Sequence, residues 1–307
     1  MTNGAVTPRD TLVALMQGAV PERQAETEAL WETDNPEVVL VADAKRITLN
    51  ADKDRIQFDA KTMDVFWLIG FSGWRAIECY TPVVVWSAKS GQALAELIKL
   101  DDGLADVEQA YKERRAAAQA LIDAEDPASA PWPPDVPEPN ADRYALNDPQ
   151  HQVAFDLTCL AVAFTIFHEF RHVMLDRDKA RSRDPREEEL ACDVWAREFM
   201  TGKLAAYAAD NQHEYCDVLR KRSMGLALAA LVLHEITPIW DHGGNRFYFS
   251  IADRMQAILD NTPLPANDHF WVFAASLLVG IFRQKHIPID APAMSAHELV
   301  AYLIARL

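Results

Sequence analysis

Phe167-His168-Glu169-Phe170-Arg171-His172 is the stretch from which the architecture is read. It falls inside a long apolar run that starts near Val153. Written H-E-x-x-H, it sets two imidazoles one helical turn apart, on one face, where they can hold a metal ion together. Glu169 stands one step round from His168, close enough to reach a water on that ion. Two imidazoles with an adjacent carboxylate predict a zinc hydrolase, with zinc as Lewis acid and Glu169 as general base. The plain alternative is two histidines and a glutamate on a partly solvated helix face.

The residues after the motif argue against that alternative. The helix runs on through Asp176 and meets a charged, turn-forming stretch from Arg177 to Asp184. Asp184 then caps a second helix, with Pro185 at its first position and Glu187 placed for a capping box. A short connection favours two antiparallel helices side by side. Catalytic zinc commonly takes three protein ligands and keeps the fourth position open. Glu189 is the favoured third ligand, because it alone of Glu187, Glu188 and Glu189 carries a carboxylate one turn on, Asp193. There Asp193 could accept the free ring N–H of a ligating histidine. Glu187 and Glu188 are the rival ligands and otherwise suit the acidic N-terminus of a helix.

At these residues the sequence resembles gluzincin-type metallopeptidases, in which the third ligand is a glutamate on the following helix. More narrowly, it is similar to the Lit family of phage-exclusion peptidases. The resemblance rests on His168-Glu169-x-x-His172, the Glu189-x-x-Cys192-Asp193 helix, overall length, and the segment from Met63 to Leu68 and from Trp74 to Glu78. It implies a cytoplasmic zinc endopeptidase with one Zn2+ per chain and a narrow protein target. In Lit that target is translation elongation factor Tu, cut when a phage-derived peptide is present, so an activating peptide or partner is a further expectation. The ImmA/IrrE group, which cuts repressors of mobile elements or stress genes, is similar in motif style. Its helix after the zinc motif also reads as glutamate, small residues, Asp or Asn, then an aromatic-alanine run, comparable to Glu189 through Phe199.

At 307 residues, half of them hydrophobic, the chain can bury a sizeable core. A formal net charge of -16 argues against nucleic acid and anionic membrane surfaces as partners. Met1-Thr2-Asn3-Gly4 opens without a basic, apolar leader, which favours the cytoplasm. Cys79, Cys159, Cys192 and Cys216 are scattered in apolar contexts and read as reduced core thiols. Cys192 is a minor alternative ligand.

Along the chain, residues 8 to 32 read as helix broken at Pro21. Short β runs follow at Val38–Val41, Arg46–Leu49 and Arg55–Phe58, the last two joined as a hairpin. One edge strand is a candidate to receive substrate as an added strand. Thr62 to Tyr80 reads as an apolar helix ended by Thr81-Pro82, and residues 91 to 123 as a more polar helical tract. The proline-rich stretch 125–147 reads as a linker, or as a loop across the cleft mouth carrying Trp132. The expected fold is α+β, mainly α: an N-terminal segment 1–124 with a small sheet, the 125–147 loop, and a helical zincin core 148–307. Val153 to Phe167 contains Asp156 and reads as a buried helix, not a membrane span.

Two further residues are site candidates. His242 with Arg246 resembles a downstream His-x-x-x-Arg pattern of gluzincin-like peptidases, which implies that His242 stabilises the oxyanion and that Arg246 supports the site; Arg246 could instead pair with Asp193, Glu189 or a surface acid. Tyr248 is a weaker oxyanion candidate. The contrasting readings are a zinc-stabilised interaction protein without a cut, and a small-molecule zinc hydrolase.

Overall fold

Thr7 opens the chain's first helix with a capping box: its hydroxyl accepts from the Asp10 amide, while the Asp10 carboxylate accepts from the Thr7 amide. The computed structural model describes residues 6–42, 46–101, 103–139, 142–260 and 262–307. Helix α1 (Pro8–Ala19) leads through a 3-10 turn at Pro21–Arg23 into α2 (Gln24–Asp34). The strands follow as β1 (Glu37–Leu40), β2 (Leu49–Asp52) and β3 (Arg55–Phe58). They form one sheet in the order β1-β3-β2, with β1 parallel and β2 antiparallel to β3.

The second strand differs from the Arg46–Leu49 expectation. Asn50 and Ala51 read as turn residues, yet they pair with Gln57 and Ile56. The reversal falls instead at Lys53, whose φ is 55°. That tight turn lets β2 pair along the whole of β3 and places it at the edge of the three-stranded sheet.

Helix α3 runs Ala60–Ser90, past the Pro82 that the sequence marks as its end. Pro82 lacks the amide that would bond back one turn. The helix continues because Val83, Val84 and Ser87 are buried beyond it, and it stops at Gly91 with φ 72°. The next tract splits into α4 (Leu94–Leu100) and α5 (Leu104–Asp123). Lys61, almost wholly buried, donates to the Ile122 and Ala124 carbonyls at 2.8 and 2.7 Å, closing the end of α5. Among the described residues, the proline-rich stretch holds only short 3-10 turns, at 127–129 and 143–145. Trp67 Nε1 donates to the Pro137 carbonyl, Arg114 holds Asp135, and Trp132 packs on the core. Those contacts pin the stretch to α3 and α5, and none of its described residues, Trp132 included, lines the cleft over the metal motif.

Helix α6 (Pro149–Arg177) carries the metal motif, capped by Asp148 and started by Pro149. The chain continues as α7 (Pro185–Thr201), α8 (Leu204–Asp210), α9 (Tyr215–Ile236), α10 (Ile251–Leu259), α11 (His269–Gln284) and α12 (Ala296–Ile304). This is the mainly helical α+β class expected. By length and composition α6 could cross a bilayer, but 61% of its most apolar window is buried among α1, α3, α7 and α9. An apolar surface all round a helix is what a central core helix needs. Phe164, Ile166, Phe167 and Phe170 are at most 3% exposed, each contributing about 1.5–3 kcal/mol by area removed from water. Helix α9 approaches closely because Gly225 has no side chain; a Cβ there would stand 2.5 Å from Leu160 Cβ.

Glu108 joins three helices. Tyr80 of α3, Lys112 of α5 and Arg283 of α11 all donate to its carboxylate at 2.7–2.9 Å. Burial opposes its charge, but the hydrogen bonds from Arg283, Tyr80 and Lys112 prevail and bring its pKa down to about 2. A depressed carboxylate stabilises fully above its unfolded value, near pH 4.5, and loses that contribution as the pH falls toward 2. Glu108→Gln is therefore expected to lower the melting temperature at pH 7 and to flatten its fall between pH 4.5 and 2. Thermal melts across that range check this; parallel wild-type and variant curves would contradict it.

Candidate metal centre

His168 and His172 lie one turn apart on α6, and α7 brings Glu189 across to them. Their ligating atoms converge: His168 Nε2 to His172 Nε2 is 3.3 Å, His168 Nε2 to Glu189 Oε2 is 3.2 Å, and His172 Nε2 to Glu189 Oε1 is 3.3 Å. A tetrahedral ion with bonds of about 2.0–2.1 Å separates its ligand atoms by about 3.3 Å, so the spacing fits zinc.

The outer nitrogens strengthen the fit. His168 Nδ1 stands 2.8 Å from Asp193 Oδ1, and His172 Nδ1 stands 2.9 Å from Glu188 Oε1. Each Nδ1 facing a carboxylate carries the proton, so each Nε2 presents a lone pair. Two lone pairs and a carboxylate then face one another with no donor between them. Such an arrangement is satisfied by a cation or by an added proton. Without a metal it draws in a proton: burial opposes charge on His168, but the Asp193 and Glu189 carboxylates drive its pKa up to about 10. Glu189 is correspondingly held far below the usual carboxylate range, against burial, by the two histidines.

The surrounding charges are matched in pairs. Arg254 of α10 holds Asp193 with two bonds, Nε to Oδ2 at 2.7 Å and Nη2 to Oδ1 at 2.9 Å. Arg181 holds Glu188 at 2.8 Å, and the Ser182 amide donates to the same carboxylate. Glu189 faces the two histidines and, at 3.6 Å, Arg254 Nη2, and Glu169 stands beside them in the same cleft. Burial raises the Glu169 pKa above the ordinary carboxylate value; the neighbouring histidines and the Ala51 amide of β2 work in the other direction.

A cleft of about 380 Å3 opens over this centre. Leu49, Asn50 and Ala51 of β2 form one wall, Phe164 and Thr165 of α6 the floor, and Leu233 and Ile236 of α9 an apolar side. Tyr248 and Phe249 close the far end, with Arg254 stacked 5.6 Å from the Tyr248 ring.

The structure thus gathers His168, Glu169, His172, Glu189 and Asp193 in one place, with Tyr248 beside them. Two candidates lie elsewhere. His242 sits behind the cleft, with Nε2 3.0 Å from the Thr237 carbonyl and Nδ1 3.4 Å from Lys285. Arg246 turns outward over the Phe247 ring. The arginine at the site is Arg254, which sequence reading missed. Its signal was present: Arg254 lies in the buried stripe Ile251, Met255, Ile258 of α10, and an arginine there needs a buried anion. Glu188, read as helix decoration, is 5% exposed and holds His172. Asp184 does cap α7, but through the Arg186 amide, and Glu187 does not close a capping box. Cys192 Sγ is 3.7 Å from His172 Nδ1, on the side away from the ligand atoms.

A family model described as Peptidase U49 matches residues 56–274, a span holding all the residues gathered here. The "Cell death peptidase" of Escherichia coli (strain K12) is 29% identical over 105 residues, which cover 34% of this chain and 32% of that protein. The alignment therefore spans about a third of the curated relative's length. No solved structure gives a significant match.

Proposed function

We propose, from the premise that the chain belongs to the peptidase U49 family, that it is a zinc-dependent endopeptidase cutting a specific protein in the cytoplasm. The observation that carries the zinc reading is the convergence of two buried histidines and a half-buried glutamate at 3.2–3.3 Å, each histidine backed by a carboxylate. His168, His172 and Glu189 would hold the ion. When bound, it supplies Lewis acidity to the attacking water and the scissile carbonyl.

The protein's own groups do the rest. Glu169 takes a proton from the attacking water on its carboxylate and returns it to the leaving amine nitrogen. The substrate main chain lies along the outer edge of β2, beside the Ala51 amide that meets Glu169, as an added strand. Tyr248 Oη stays a neutral donor, since burial and the Glu189 charge raise its pKa, and is placed to stabilise the oxyanion. A purely structural zinc site fills all four positions and needs no Glu169; the open cleft above Glu169 favours catalysis. The resemblance to Lit and the name of the E. coli relative suit a phage-exclusion role with a translation-factor target.

New protein N-termini mapped in E. coli expressing the wild type test this. A small set of cuts, absent with Glu169→Gln, is expected. Identical N-termini in both strains would leave a zinc-binding protein that cuts nothing there.

A further inference from the structure

The turn between α9 and α10 holds an exposed patch of which only Tyr248 belongs to the cleft chemistry. Among the described residues eleven large hydrophobic side chains are exposed, and four of them, Ile239, Trp240, Phe247 and Tyr248, fall within one ten-residue stretch. Ile239 is 70% and Trp240 79% exposed. Scattered exposed apolar side chains are ordinary; a concentration of this kind marks an interaction surface.

Two features give the patch its meaning. It borders the cleft directly, since Pro238 and Asp241 on either side of Ile239 and Trp240 line it, as does Tyr248 beside Phe247. It is also held rigidly. Asn245 Oδ1 accepts from the Phe247 and Tyr248 amides at 2.7 and 3.0 Å, and Asn245 Nδ2 donates to Asp241 Oδ1 at 2.8 Å. Gly244 turns the chain at φ 85°, where a Cβ would meet the Tyr248 carbonyl at 3.0 Å. The His242 amide donates to the Ile239 carbonyl, and the Ile251 amide to the His242 carbonyl. A backbone already fixed loses little freedom on binding, which suits the aromatic side chains it carries to act as interface anchors.

We infer that the 238–248 turn is a docking surface for the folded body of the protein substrate, seating an apolar patch that flanks the scissile segment. The cleft itself, about 380 Å3, is at the small end for a ligand site and takes only a short stretch of chain. Discrimination between proteins that share such a stretch then rests on contacts outside the cleft, and this surface is continuous with it. The inference rests on the peptidase reading of the site.

The test uses the target whose Glu169-dependent cut is mapped in cells, purified intact, and a twenty-residue synthetic peptide spanning that cut. Trp240→Ala with Phe247→Ser is expected to raise KM on the intact protein by about 10–30-fold, the size of an interface hot spot. Cleavage of the peptide and the melting temperature should stay within about two-fold and about two degrees of wild type, since both side chains stand in solvent. Equal loss on protein and peptide would place the turn in the cleft chemistry and overturn the inference. No loss on either overturns it too. A dimer by sedimentation that Trp240→Asp splits, with intact-protein cleavage unchanged, would assign the patch to a second copy instead. If wild type itself makes no Glu169-dependent cut, the peptidase reading has failed first, before any turn variant is compared.

Discussion

Glu169→Gln is expected to reduce peptide-bond hydrolysis by about 10²–10⁴-fold, the usual contribution of a general base, while the protein keeps its metal. The separation follows from the geometry. Glu169 is no part of the converging set His168, His172 and Glu189, so an amide in its place leaves the ligand atoms untouched. Gln is nearly isosteric and still meets the Ala51 amide of β2 through its oxygen, so the fold should not respond. What is lost is the ability to take a proton from water. Single-turnover cleavage of the mapped target, with zinc content measured on the same samples, checks this. Residual activity within a few-fold of wild type would show that another group accepts the proton. Loss of zinc along with activity would show that Glu169 is a ligand.

Arg254→Met is expected to be the most damaging change outside the metal ligands. Arg254 is almost wholly buried and makes both of its strong bonds to Asp193, itself fully buried. Removing it leaves a fully buried carboxylate facing the His168 ring without its arginine counter-charge, and breaking a buried ion pair in this way costs about 3–5 kcal/mol. Asp193 also fixes the ring of His168, so metal affinity should fall by about 10–100-fold, as it does when supporting groups are lost. Arg254→Lys should recover only part of both, because one ammonium cannot span two carboxylate oxygens. Adding Asp193→Asn to Arg254→Met should restore stability in part, since the stranded charge is gone, but not metal affinity. Thermal melts and competition with a chelating dye separate the two effects. A melting temperature unchanged in Arg254→Met would show that the pair does not act as drawn.

The parts of the site that were legible in the sequence are those set by local spacing. His168, Glu169 and His172 follow from helical periodicity, and Glu189 and Asp193 from a capped helix after a short connection. What could not be read depends on contacts between segments far apart in the chain. Arg254 reaches Asp193 from α10, and nothing near it names its partner; His242 and Arg246 were nearer in sequence and looked better placed. Glu188, a rival ligand in the sequence, stands about 100° round an ideal helix from Glu189. That same rotation aims it at the other face of His172, where the second carboxylate is needed. In the sheet, Asn50 and Ala51 have turn character, and only pairing with β3 makes them strand. Pro82 shows tertiary packing overriding a local breaker, because the buried residues beyond it outweigh one missing hydrogen bond.

An ion held by His168, His172 and Glu189 is the centre of the proposed chemistry, and element-specific mass spectrometry on the purified chain addresses it directly. One zinc per chain in the wild type, and none in His172→Ala at the same protein concentration, is the predicted result. Wild type that carries no zinc and takes none up on titration would contradict it.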